Sequence, residues 1–383
     1  VARLNTKRVP AVAAAAVLLG ALFWFGARTA MADFEVNYKA GGRLFSGETL
    51  YRTEDAHWQF KYSPFSALVY LPLSFLPLEA AKGVWFLVVA AAIASVIGFS
   101  AKIMGASGPR GRAAVVLATA IMARFLLREL QLGQINAVIT AILLFMVLHM
   151  KRSPGSSGGG ARTGTLWGLA SAMKPYALIF LPYFVARRKF RPLASGLAVI
   201  AASLVVPAVF YGIRGSVTVL REWAESLSRS TPALFATQDN VSLMGFLVKW
   251  TGDVSLSSIL LGTATALLAV VTLAAVLAGK RVDDPLPLDA ALLLLYIPLL
   301  SPLGWDYTFL SSFPAVLLLV RLWNRFPPLG RAALAVNAAM IGLTVYDLLG
   351  RKLYAAVMAH SVPTFNFLAV AAALLYLRLK RAA

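Results

Sequence analysis

The sequence predicts an all-α polytopic membrane protein, and three observations predict it. Hydrophobic residues make up 59% of the 383-residue chain and charged residues only 14%, with a mean hydropathy of +0.75; a soluble domain is about a quarter charged. Runs rich in Leu, Ala and Val, punctuated by Gly and Pro, recur along the whole length, whereas an outer-membrane barrel shows short alternating segments. Lys and Arg fall mostly in short clusters between those runs, the distribution that the positive-inside rule produces.

Taken in order, the apolar runs lie near 10–27, 64–77, 81–100, 112–128, 134–150, 164–186, 193–212, 255–279, 287–301, 306–322, 331–349 and 362–379, giving roughly 10–12 helical segments. The first follows Lys7-Arg8 in the manner of a signal peptide, but it is long enough to span and reads as a retained helix. The runs at 64–77 and 287–301 are short against the roughly 20 apolar residues of a full span. Lys174-Pro175 interrupts 164–186, because a residue before proline is biased away from α.

The clusters Arg3/Lys7/Arg8, Lys102/Arg110/Arg112, Lys151/Arg152/Arg162, Arg187/Arg188/Lys189/Arg191, Lys280/Arg281, Arg321/Arg325/Arg331 and Arg378/Lys380/Arg381 read as cytoplasmic. They share one side if 64–77 is a short interfacial or re-entrant helix. The second condition is that 164–186 crosses an even number of times, as two half-helices broken near Lys174. The polar segments 28–63, 128–136, 213–254, 302–306 and 350–361 then face outward, and residues 153–160 form a flexible inner linker. The net charge of +20 becomes a cytoplasmic rim for anionic membrane lipids rather than a nucleic-acid surface. There is no cysteine, and His57, His149 and His360 are scattered, so the sequence offers no metal motif and implies no cofactor.

An acid at a membrane edge is costly to keep desolvated, which makes Asp33 the leading functional residue. It opens Asp33-Phe34 with Tyr38, Ala40-Gly41, Gly47 and Leu50-Tyr51, followed by Phe60-Lys61-Tyr62-Ser63-Pro64 and Leu71-Pro72-Leu73. Then come Leu132-Gly133-Gln134-Ile135-Asn136, Lys174-Pro175-Tyr176, Asn240-Val241-Ser242-Leu243 and Leu300-Ser301-Pro302-Leu303-Gly304-Trp305-Asp306. This ordered set resembles glycosyltransferase family 87, integral-membrane enzymes of the GT-C superfamily that include polyprenol-phosphate-mannose-dependent α-mannosyltransferases. The resemblance implies a GT-C-type transmembrane helix bundle forming a single domain over 1–383, with the motifs in 1–310 and C-terminal helices in 311–383. It also implies Asp33 as general base, a polyprenyl-phosphate-linked sugar (mannose by family weight) as donor, and a lipid-linked or envelope glycan as acceptor. Transfer would take place on the outer face of the bacterial cytoplasmic membrane. Relatives often carry histidine just after Ser-Pro-x-x-Trp, where this chain has Asp306-Tyr307.

Such a transfer needs a base for the acceptor hydroxyl, positive charge for the departing phosphate, and a greasy groove for the lipid tail. It needs no metal, because Arg and Lys neutralise a monophosphate directly. Asp33 fits the base, against the alternative of an interfacial pair with Arg28 or Lys39. Glu35 is the reserve, sharing Asp33's face if the segment is extended. For the phosphate the candidates are Lys61, Arg128 and Lys174. Lys61 and Arg128 have surface alternatives (snorkelling, or an Arg128–Glu129 pair), while an ammonium inside an apolar run must reach a cavity or an acid. Tyr38, Gln134, Asn136, Asn240, Trp305 and Asp306 make up the sugar- and acceptor-binding set. Asn136 reads first as inter-helix glue, since an amide within a bundle normally finds a helical partner, and Trp305 reads also as part of an interfacial aromatic belt. The rival readings are an arabinofuranosyl-type transferase and a transporter or flippase of lipid-linked saccharides. The transporter predicts functional polar residues on both sides or an internal repeat, and the sequence displays neither.

Overall fold

The computed structural model describes residues 9–153, 157–277 and 284–380. The chain is 84% helical; the described residues form seventeen α-helices and no strand beyond a single bridge between Asn240 and Trp305. Among the described residues, three helices are long and apolar enough to cross a membrane: Leu78–Ile103, Val254–Leu277 and Val362–Leu379. Three sharply bent pairs each pass the same test as one broken span. They are Val17–Ala27 with Ala32–Phe45 (87°), Phe190–Val205 with Ala208–Leu234 (89°) and Pro328–Leu343 with Tyr346–Ala359 (102°). The result is an all-α polytopic membrane protein.

Two segments expected as outer loops are largely helical. In Ala32–Phe45 the residues Phe34, Asn37, Ala40, Gly41 and Leu44 fall on one buried face at three- and four-residue spacing. Ala208–Ser230 is amphipathic and kinks at Gly212, whose φ of +68° a glycine adopts without strain. The expected inner linker is also partly wrong, since Ser157 to Gly160 already belong to the helix Ser157–Met173. The Arg3/Lys7/Arg8 and Lys280/Arg281 clusters lie outside the described residues.

The break at Lys174 is where proline predicts it. Helix Ser157–Met173 stops, Lys174 is extended at φ −139° and ψ 118°, and a 3-10 turn, Pro175–Phe180, leads into Leu181–Ala186. Carbonyls freed at such a helix end need donors. Ser63 Oγ donates to Ala172 O and Ser66 Oγ to Met173 O, both at 2.5 Å. The short apolar helix Pro64–Tyr70 is thereby pinned to the break, and its length keeps it from being a span. Beneath these elements runs the larger of two buried apolar clusters among the described residues, in which Phe309 stacks on Phe367 at 4.3 Å and Phe125 packs edge-on to Phe367.

Candidate active site

Helix Gly108–Leu132 ends at Gly133, left-handed at φ +65°, whose N–H bonds the carbonyls of Glu129 and Leu130. A Cβ on Gly133 would meet Met31 Cε at 2.7 Å and Phe34 Cβ at 2.8 Å, so the chain reverses hard against the Asp33 helix. Trp85 Nε1 donates to Gly133 O at 2.7 Å, and Phe34 stacks on Trp85. The reversal delivers Gln134 and Asn136 to the base of Asp33.

Gln134 Nε2 donates to Asp33 Oδ2 at 2.6 Å and to the Tyr307 hydroxyl at 3.1 Å, while its Oε1 accepts from the Tyr62 hydroxyl at 3.1 Å. Asn136 Nδ2 donates to Glu129 Oε2 at 3.0 Å, and Ala137 N–H donates to the other carboxylate oxygen at 2.7 Å. The Asn136 amide is thus oriented with Oδ1 outward, where it accepts from Lys174 Nζ at 2.8 Å and the Tyr176 hydroxyl at 3.3 Å. Lys174 also stands 4.3 Å from the Tyr62 ring centroid. Five separate stretches of chain therefore meet in one network, with an acid and an ammonium linked through two amides. The Glu129 residue at its floor is wholly buried.

A second group lies one residue from the first. Asp306, next to Tyr307, faces Arg124 at 3.5 Å, and Arg124 also donates to the carbonyl of Thr344. Asn240 is fully buried: its amide bonds the carbonyls of Phe235 and Pro302 and accepts from the N–H groups of Ser242 and Gly304. It fixes the turn that carries Trp305 and Asp306.

Of the other sequence candidates, Glu35, Tyr38 and Arg128 bond partners outside this network. Glu35 is helical rather than extended, so it does not share Asp33's face, and it pairs with Lys82 at 2.6 Å. Tyr38 donates to Leu76 O at 2.8 Å. Arg128 is exposed and bonds Gln131 on its own helix at 3.0 Å. Lys61 is half-buried beside Tyr62, and burial pulls its ammonium below the usual lysine range. Arg28, a surface residue near the start of the Asp33 helix, pairs with Glu79 at 2.6 Å.

Sequence reading missed Glu129, Arg124, Tyr62 and Tyr307 as members. Arg124 had a signal, lying one helical turn before Arg128 on the same face. Among the described residues no three His, Asp or Glu side chains gather as a metal cage.

Residues 60–302 match the model of Glycosyltransferase family 87. The chain belongs to that family. It is 26% identical over 299 residues to the polyprenol-phosphate-mannose-dependent alpha-(1-2)-phosphatidylinositol pentamannoside mannosyltransferase of Mycobacterium tuberculosis (strain CDC 1551 / Oshkosh), covering 75% of this chain and 66% of that protein. It is 28% identical over 165 residues to the protein of the same name from Mycolicibacterium smegmatis (strain ATCC 700084 / mc(2)155), covering 43% of this chain and 38% of that one. The matches thus span just under two thirds of the first relative and less of the second. No solved structure matches. Within this family-87 chain, Lys61, Gln134, Asn136, Lys174 and Asn240 lie inside the matched residues, with Asp33 before them and Asp306 after.

Proposed function

We propose that this family-87 chain transfers a mannosyl group from a polyprenyl-phosphate-linked donor to a lipid-linked or envelope glycan acceptor, on the outer face of the cytoplasmic membrane. The observation that carries the reading is the bridge from Asp33 through Gln134 and Asn136 to Lys174, an acid and a cation held in one half-buried network. The names of the two relatives support the donor class.

Asp33 takes the acceptor's hydroxyl proton as the oxygen attacks the anomeric carbon. A carboxylate already bonded to a donor amide is fixed in direction and keeps lone pairs for a second hydrogen bond. The bond from the anomeric carbon to the phosphate oxygen breaks, and the phosphate gains negative charge against Lys174, with Lys61 and Arg128 as further cations. Single displacement inverts the anomeric centre. The leaving group is a monophosphate, so side-chain cations suffice without a metal. Tyr62, Tyr176 and Tyr307 present hydroxyls and ring faces suited to a sugar, and Trp305 and Asp306 directly precede Tyr307 in the chain.

The test uses purified protein in nanodiscs with radiolabelled polyprenyl-phosphate-mannose and a mixed acceptor lipid extract. Asp33→Asn keeps the size of the side chain and removes the base; turnover should fall by about 10²–10⁴-fold with donor binding retained. Transfer at the wild-type rate by the variant would move the base to another acid, Asp306 first.

A further inference from the structure

The helices Asn136–Arg152 and Ser157–Met173 both begin or end at the network just described, and both carry their other ends to a second polar cluster. That cluster lies about 20 Å away, at 1.5 Å per residue from Asn136 to Met150. It is built on Asp289, which is 1% exposed in the first turn of Leu286–Leu300. Arg378 Nε donates to Asp289 Oδ1 at 2.8 Å, and Arg187 Nη2 donates to Asp289 Oδ2 at 2.9 Å. Arg378 is wholly buried. One carboxylate is therefore shared by two guanidiniums.

The donor count is also in surplus. Arg187 Nε and both terminal nitrogens of Arg378 are buried without a hydrogen-bond partner. A buried guanidinium normally finds acceptors for its donors, because leaving them and its charge uncompensated is costly. Arg187 lines a cavity of about 250 Å³, together with Lys189, Thr163, Gly160, Met150 and Pro285. Among the described residues no carboxylate lines this cavity. Asp284, next to Pro285, is drawn off by Lys151 at 2.6 Å. The cavity also abuts the first turns of Ser157–Met173, whose dipole adds positive potential there.

We propose that this cavity is a binding site for a phosphate oxyanion, presented by a lipid headgroup or as free phosphate, with Arg187 and Lys189 as its cationic ligands. Arg378 neutralises Asp289 and so leaves the charge of Arg187 available to the anion. A guanidinium carries five N–H donors, so one that gives a single bond to a carboxylate keeps donors for a phosphate oxygen. Occupancy would tie together the ends of Asn136–Arg152, Ser157–Met173 and Leu181–Ala186, the elements whose opposite ends carry Asn136 and Lys174.

The experiment is native mass spectrometry of the delipidated full chain, titrated with phosphatidylglycerol or with inorganic phosphate, and thermal melting under the same additions. Arg187→Gln leaves Asp289 paired with Arg378. Lys189→Gln serves as a second variant, its side chain making no bond among the described residues. Lys102→Gln removes the same charge from an exposed position outside the cavity. Wild type and Lys102→Gln should carry one tightly held adduct, weakened roughly tenfold in either cavity variant. An adduct formed with phosphatidylglycerol alone identifies a lipid headgroup, and competition by inorganic phosphate identifies the free anion. Equal binding by all four proteins, or an equal loss in Lys102→Gln, overturns the site and leaves only general attraction to a basic surface.

Discussion

The two ends of helix Asn136–Arg152 carry polar clusters built on opposite plans. Toward Asp33 the charges are joined through amides. Gln134 and Asn136 separate Asp33 and Glu129 from Lys174, and two acids outnumber one ammonium. Toward Asp289 the charges touch directly, and two guanidiniums outnumber one acid. An amide accepts and donates at once, so it can hold an acid and a cation in place without neutralising either. A direct ion pair neutralises the acid in fixing helices, and here it leaves one cation in surplus. The first plan suits a site where a proton and a phosphate must move; the second suits an anchor. The excess negative charge near Asp33 also explains why a phosphate donor would need cations beyond Lys174.

The largest effect that breaks this contrast is at the anchor. Asp289→Ala leaves the buried Arg378 and the half-buried Arg187 without their shared acid, and removing one partner of a buried ion pair such as Asp289–Arg378 costs about 3–5 kcal/mol. A lowered thermal midpoint in detergent is expected, well beyond that of Arg187→Gln, which leaves a closed Asp289–Arg378 pair. Similar midpoints for the two variants would show that Asp289 is not the element on which both arginines depend.

At the amide-bridged end the expected result is the reverse, a loss of activity with little loss of stability. Lys174→Met keeps the length of the side chain and leaves Asn136 Oδ1 still bonded by Tyr176. The fold should survive. Turnover should fall about 10²-fold, the usual cost of removing one preorganised group that stabilises developing negative charge. A large drop in melting temperature with unchanged turnover in the surviving enzyme would make Lys174 an anchor like Arg378, and the contrast between the two ends would disappear.

How much of this was legible in the chain follows from the kind of signal each residue gives. The helix break at Lys174 was readable because proline acts on its immediate neighbour. Asp33, Gln134 and Lys174 stood out as polar residues against apolar surroundings. The helix Ala32–Phe45 was passed over as loop because its composition is polar, although Phe34, Asn37, Gly41 and Leu44 carry the helical period. Glu129 looked like a surface partner of its neighbour Arg128; only the left-handed turn at Gly133 brings Asn136 back onto it across seven residues. The Asp289 cluster was hidden for a related reason. Its three members come from sequence positions 187, 289 and 378, and each looked unremarkable in its own stretch.

The smallest effect concerns Lys61, and it sharpens the charge argument. Burial holds its ammonium below the usual lysine range, so it is charged below that lowered value and neutral as pH rises through it. Bound donor phosphate favours the charged form. The donor KM should therefore rise with pH, beginning below the pH at which an ordinary lysine near 10.4 would titrate. The increase should be roughly tenfold, the worth of one charge-assisted hydrogen bond. Lys61→Arg keeps its charge throughout and should flatten the profile, whereas Lys61→Met should hold KM at the high-pH level at every pH. If Lys61→Arg shows the same rise as wild type, the titrating group is elsewhere. Lys61 would then be only a half-buried interfacial lysine, and the cation that balances the acid-rich end would have to be sought at Arg124 or Arg128.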